Sequence, residues 1–385
     1  MRPHREIIID GTMWLEGGSP NSDSLGSHLE CSFCGYRLRK RRSKPVINLP
    51  FVSSEPLSVL VNRNGFCESS HQVDVAVCGA GGEVVLGLGN VESIIFPRSA
   101  MKPLQAIALV EVLECNAGAE QLSDSEVALI CSSHNGEMLH VDAVRGLLGK
   151  FDVDIDDLIC GAHWSMHEET MVSQVRSLEA PHQVHNNCSG KHAGMMILSK
   201  LLSSKTVGYE KLSCEAQQRI LGILEFMTGV DLMQHTTGVD GCGAPVFSAP
   251  LGNWARAFAL FAGGGELPDE RTAACQRIRK CIASHPLHIA GKDRSCSAVN
   301  AAYGEAITVK VGAEGVYSAA FHELGLGAMI KVRDGNKRGA EVALGAVIQT
   351  LGYEMHDSLA GFFEPTLRNW AGEVVGDITI KPFAT

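Results

Sequence analysis

Strand-patterned runs stand at the two ends of this chain, and a long stretch of helical pattern lies between them. From about Pro56, "LSVLVNRNG", "VDVAVCG" and "EVVLGLG" are short β-rich runs split by Asn-Gly and Gly-Gly turns, which predicts an antiparallel meander. Strand patterns return only at "AITVKVG", "GVYSAAF" and "GAMIKVRDG". In between, apolar spacing predicts helices at 100–114, about 124–133, 137–150, 190–204, 211–228, 250–263 and 269–284. A last helix, "RGAEVALGAVIQTLG", is expected to close the chain. Strands so far apart must join in one sheet, so the expected class is α+β, an antiparallel sheet from N- and C-terminal strands with a helical insertion. A doubly wound sheet would need repeated βαβ units, which are missing.

With 385 residues the chain can build a real core. A net charge of −10 argues against a nucleic-acid surface, which needs a basic stripe. No run of about 18–20 apolar residues predicts a membrane span. The opening "MRPHREIIIDGTMW" lacks the apolar region of a signal peptide, so a cytoplasmic protein is expected. Residues 1–50 differ from the rest. They hold "SPNSDSLGSH", a lone Cys31-x-x-Cys34 and the basic run "RLRKRRSK", and they read as a poorly ordered leader before a catalytic domain at 55–385. The thirteen cysteines offer no disulfide framework, and those in apolar contexts, such as Cys78, Cys160 and Cys275, are expected to pack as small hydrophobes.

Three short motifs carry chemistry. In "PRSAMKPLQA", Ser99 and Lys102 stand at i and i+3 where a buried helix begins, with Pro103 suited to its first turn. The helix dipole and an apolar setting both disfavour a charged ammonium there, so Lys102 could take the proton of Ser99 and make it a nucleophile. The alternative is an N-capping serine beside a snorkelling lysine. Ser133-His134-Asn135 in "CSSHNGE" is an S-x-N, and Lys310-Val311-Gly312 is a K-x-G on a strand, where Gly312 would let a substrate approach the backbone. In this order the three form the signature set of serine acyl-transfer enzymes typified by class A β-lactamases. Ser19-Pro-Asn21 and Lys337-Arg-Gly339 repeat the spacings, but in the leader and in a turn.

A fourth element is independent. Cys188-Ser-Gly-Lys191-His192 lies at a helix start, and Cys242 lies in the glycine loop "TTGVDGCGAP". Two thiols in tight turns with a nitrogen nearby suggest tetrahedral zinc with an open position. His192 is the conventional nitrogen ligand and Lys191 the unusual one, since an amine must lose its proton to ligate. Two buried free thiols are the plain alternative.

The blocks "FPRSAMKPLQA", "CSSHNGE", "HNNCSGKHAGM", "GVDGCGAP", "HPLHIAGKDR" and "KVGAEGVY" resemble, in order, those of the rhizobial-type (class 3, asparaginase II) L-asparaginases over roughly residues 55–385. The resemblance implies a fold similar to serine β-lactamases and glutaminases, a homodimer, and hydrolysis of L-asparagine to L-aspartate and ammonia. It implies two Ser–Lys pairs facing one pocket, Ser99 with Lys102 and Ser133 with Lys310. It implies zinc on Cys188, Lys191 and Cys242, which displaces His192 as nitrogen ligand. Asp240 matches a family aspartate beside the zinc and is the candidate to grip the substrate ammonium. Arg294 matches a family arginine, although here the turn reads "AGKDRSCSAV" in place of a run with aromatic and acidic residues after the arginine. Arg98, Asn135 and Gly312 complete the candidate substrate contacts.

The expected mechanism is acyl transfer in two steps. Ser99 attacks with Lys102 as base, Ser133 and Lys310 relay a proton to departing ammonia, and the Ser99 amide with one near Gly312 forms the oxyanion hole. The alternatives are a zinc-hydroxide amidohydrolase, a β-lactamase or peptidase-like acylase, and an inactive homologue with a binding role.

Overall fold

The computed structural model describes residues 49–381 other than 117, 119, 178, 179 and 204. The leader, with Cys31, Cys34 and the basic run, thus lies outside the described residues but for Leu49 and Pro50. Thirteen strands occur among the described residues: β1 Phe51–Ser53, β2 Leu57–Arg63, β3 Phe66–Cys78, β4 Val84–Leu88, β5 Ile94–Ile95, β6 Thr237–Val239, β7 Pro245–Phe247, β8 Ala249–Pro250, β9 Ile307–Gly312, β10 Val316–Phe321, β11 Leu326–Val332, β12 Thr366–Arg368 and β13 Val374–Ile380. The first eight helices are α1 Lys102–Glu114, α2 Asp124–Ile130, α3 Met138–Lys150, α4 Glu168–Ser177, α5 Ser189–Ser203, α6 Glu215–Thr228, α7 Leu251–Ala262 and α8 Asp269–Ser284. They are followed by α9 Pro286–Ala290, α10 Ser295–Tyr303, α11 Lys337–Thr350 and α12 Ala360–Phe363.

Nine strands form one sheet in the order β12-β13-β2-β3-β11-β10-β9, with β4 on β3 and β1 on β4. The class is α+β, as the strand distribution predicts. Asn64 and Gly65 both have positive φ, the geometry a tight hairpin turn between β2 and β3 demands. One pairing departs from a plain meander, because β1 runs parallel to β4. Strand β11 joins the two halves, pairing with β3 through Val332↔Val73 and with β10 through Ile330↔Tyr317.

The central strands are buried on both faces because helices cover each. At Gly327 a Cβ would fall 2.1 Å from Ala255 O and Ala259 N, so α7 lies directly on the backbone of β11. Gly339 of α11 abuts Val332, five residues along β11 and therefore on the other face. Helices α2, α5, α6 and α8 pack around α1, whose residues are buried nearly all round.

Two expectations need correcting. The chain does not close on α11, since β12 and β13 follow and β13 pairs with β2 from Ile380↔Val59 to Gly376↔Arg63. Only Ile378 of β13 is buried, so its sequence lacks the apolar alternation of an inner strand. Helices α4 and α10 also escaped the pattern, α4 because its exposed face is apolar where polar residues are usual. No described helix is long and apolar enough to cross a membrane.

Candidate active site

The start of α1 meets the end of β9 through a glycine. A Cβ at Gly312 would lie 2.5 Å from Pro97 O and 3.2 Å from Ala100 N. Gly312 therefore makes room for the chain's own 97–100 turn. That turn, Arg98–Met101, is a 3-10 helix that runs into α1, with Pro103 in the first α-helical turn. Arg98 takes a positive φ of 52° and donates from Nε to Asp240 Oδ1 at 2.8 Å.

The segment after α2 is pinned to two elements at once. The amides of Ser133 and Asn135 donate to Ile289 O and Ala290 O at the end of α9, and that of His134 donates to Asn187 O ahead of α5. His134 accepts from the Gly136 amide at Nδ1, so Nε2 carries the proton toward Ser189 Oγ at 2.9 Å. Burial holds this ring well below the usual histidine pKa, so it acts as a neutral strut.

The pairing of lysines differs from expectation. Lys102 Nζ is 2.8 Å from Ser133 Oγ, and it also donates to Ser132 O and to Cys188 Sγ. Lys310 Nζ is 2.9 Å from the same Ser133 Oγ and 2.8 Å from Val311 O. Both lysines are fully buried. Ser99 Oγ, in contrast, has no hydrogen bond among the described residues. The 3-10 turn that carries Ser99 runs into α1, and Lys102 reaches away from it to the loop after α2.

Two ammonium groups on one hydroxyl would repel at short range in a dry site. Burial, against the opposing effect of Cys296 and helped by Lys102, lowers Lys310 to about 7. Cys296 was not singled out in the sequence, yet its Sγ accepts the Val311 amide at 3.1 Å and lies 3.2 Å from Tyr317 Oη. Tyr317 continues to Ser295, and Ser295 donates to Glu341 at 2.6 Å. No spacing in the sequence marks these residues, because helix α10 was not foreseen.

The thiols lie on the other side of Lys102. Lys191 Nζ donates to Cys242 Sγ at 3.0 Å, and the Cys242 thiol donates to Cys188. That hydrogen bond lowers the Cys188 pKa well below the usual thiol value, against its burial and helped by Lys102 and Lys191. By comparison, burial pushes Cys78, Cys160 and Cys275 up to about 12, the behaviour of packing thiols. All eleven described cysteines are free. Among the described residues no group of three or more His, Cys, Asp and Glu side chains could hold a metal. Counting an amine, however, Cys188, Cys242 and Lys191 converge as two soft sulfurs and a nitrogen, a donor set that suits zinc. His192 bonds to neither thiol: its Nδ1 meets Tyr209 Oη at 2.7 Å, and its buried Nε2 has no partner among the described residues.

The polar rim has two further pairs. Asp240 accepts from Arg98 and from the Gly241 amide on Oδ1, while Oδ2 has no hydrogen bond among the described residues. Although burial opposes it, Lys191 and Arg98 keep this carboxyl below its ordinary pKa. Arg294 donates from Nη1 to Asn135 Oδ1 at 2.8 Å, and Asn135 in turn holds Lys292 O. The structure thus brings Ser133, Lys102, Lys310, Cys188, Lys191 and Cys242 into one linked cluster, and leaves Arg98–Asp240 and Arg294–Asn135 as separate pairs.

The fold is α+β, and its buried cluster sets one serine hydroxyl between two lysine amines. The chain is a member of the L-asparaginase II family, whose sequence model matches residues 59–380. Comparison with curated protein sequences finds no match. Among solved structures it is similar to Mglu in its native form, at 13% identity and a TM-score of 0.42 over 74% of this chain. A class C β-lactamase is matched at 13% identity and a TM-score of 0.40, over 74% of this chain and 92% of that one. The chain spans 65% of the length of Mglu, and neither likeness bears on what it binds.

Proposed function

We propose that the protein is an L-asparagine amidohydrolase that releases L-aspartate and ammonia through an acyl-enzyme on Ser99. Family membership supports a hydrolase with a small-molecule substrate. The observation that carries the mechanism is the Ser133 hydroxyl held between Lys102 and Lys310, with the unpartnered Ser99 hydroxyl one turn ahead of Lys102.

All three N–H directions of Lys102 are taken up by acceptors, which leaves it no lone pair aimed at Ser99. Lys310 is the member with a proton to accept. Ser133 passes its proton to Lys310 and takes that of Ser99, whose Oγ bonds to the side-chain amide carbon. The C–N bond then breaks, and the proton returns along the same path to the leaving ammonia. A water molecule, deprotonated by the same relay, cleaves the ester and frees aspartate. The Ser99 amide and one near Gly312 receive the oxyanion. Asp240 Oδ2 suits the substrate ammonium and Arg294 its carboxylate.

Cys188, Lys191 and Cys242 would hold zinc. Bound there, the metal supplies a fixed positive charge beside the substrate end of the pocket. The protein acts as a homodimer on this reading, which analytical ultracentrifugation checks.

Ammonia release from L-asparagine, L-glutamine and a β-lactam tests the substrate. Turnover of the β-lactam alone would overturn the reading. Ser99→Ala is expected to lose activity by at least about 1,000-fold, since a nucleophile is not replaced by its neighbours. Convergence of both lysines on Ser133 favours a second reading in which Ser133 itself is acylated. Mass spectrometry of the trapped adduct separates the two, because the acyl group sits on a Ser99 peptide in one and a Ser133 peptide in the other.

A further inference from the structure

Helix α1 carries a polar side chain on its buried face that the relay does not use. Gln105 is 4% exposed, and neither Oε1 nor Nε2 of its carboxamide has a hydrogen-bond partner among the described residues. A buried amide without partners is costly, and an apolar side chain of the same size would avoid that cost. Gln105 lies one turn beyond Lys102, on the same side of the helix. It lines a small cavity whose other walls are apolar, among them Leu109, Ile130, Met195 and Ile220, with one exception. That exception is Lys191.

A lysine binds a metal through the lone pair of its neutral amine, so Nζ then carries two N–H groups directed away from the metal. In an apolar cavity those groups need an acceptor. The carboxamide oxygen of Gln105 is the side-chain acceptor that this cavity provides, and no hydrogen bond holds it elsewhere. We infer that Gln105 is the positioning residue for Lys191, its oxygen accepting an N–H of the ligating amine and aiming the nitrogen lone pair at the metal held by Cys188 and Cys242. The inference rests on the reading of these three residues as zinc ligands. Partners of this kind fix ligand orientation and raise metal affinity without touching the metal.

Zinc affinity of the full chain, measured by competition with a chromophoric chelator, tests this. Gln105→Met keeps the length of the side chain and removes the acceptor, and is expected to weaken zinc binding about 10- to 100-fold. Its metal-free form is expected to melt at or above the wild-type temperature, since an unpaired amide is gone. In a Lys191→Met background the same change is expected to have no further effect on affinity. A merely structural role would do the reverse, lowering the melting temperature of the metal-free protein and leaving affinity unchanged. If wild type binds zinc and Gln105→Met binds it equally well, the inference fails and the zinc reading stands. If wild type takes up no zinc, both fail. Should the variant not fold, a zinc-loaded crystal structure of wild type decides. Gln105 Oε1 within hydrogen-bond distance of Lys191 Nζ is expected, and a separation beyond about 3.5 Å overturns the inference.

Discussion

A fully buried lysine is the residue on which this site turns. Lys310 is fully buried and lowered to about 7, so on the proposed reading it accepts a proton only above that pH. The kcat/KM for asparagine is therefore expected to rise as pH increases through about 7. A rate that is flat or falls between pH 6 and 8 contradicts the assignment. Stability carries a related sign. The unfolded chain holds the Lys310 proton up to its ordinary pKa of 10.5, whereas the folded chain loses it near 7. Lys310 thus adds a positive slope to stability between those values, and stability is lost as pH falls toward 7. Urea titrations of wild type and Lys310→Met across that window measure it, and the slope is expected to be smaller in the variant. Ser133→Ala is expected to lower kcat by about 100- to 10,000-fold, the usual weight of proton transfer, because it breaks the path between Ser99 and Lys310. An unchanged kcat would remove Ser133 from the mechanism. Ser99, Lys102, Ser133 and Lys310 were all legible in the sequence as motifs. Which lysine meets which hydroxyl was not, because spacing along the chain says nothing about a side chain that reaches another loop.

Two glycines show how elements set the site and the fold separately. At Gly312 a methyl group would collide with Pro97 O and press on Ala100 N, the turn that carries Ser99. Gly312→Ala is expected to cost about 1–3 kcal/mol of stability through overpacking, and also to reduce kcat of the folded enzyme at least tenfold. At Gly327 the collision is with the backbone of α7, and β10 lies between this strand and the one that carries Lys310. Gly327→Ala is expected to destabilise at least as much while the folded fraction keeps wild-type kcat. Chemical denaturation and active-site titration together distinguish the two, and equal effects on kcat would refute the separation. The helices from α5 to α8 were readable because their apolar residues recur at helical spacing. The hairpin of β6 and β7, three residues a strand, was too short for any periodicity to mark, although it presents Asp240 and Cys242.

At the scale of the whole molecule, the sheet is closed by the strands that the sequence conceals best. Ending the chain at Glu364 would remove β12 and β13 and leave β2 with an unpaired edge, a template for aggregation. Burial of Ile378 alone is worth about 1.5–3 kcal/mol. The truncated protein is expected to melt well below the full chain and to aggregate, as followed by light scattering during a thermal ramp. An unchanged melt would show that β13 is dispensable. By itself, the sequence determined that strands from both ends share an antiparallel sheet around a helical insertion, since alternation and helical periodicity are local and survive in a linear string. It also determined which residue types carry the chemistry. Tertiary structure alone decided that both lysines converge on Ser133 and that Gly312 makes room for the chain's own turn. Those outcomes depend on desolvation and on contacts between residues tens to hundreds of positions apart, and neither is encoded in any short stretch of the chain.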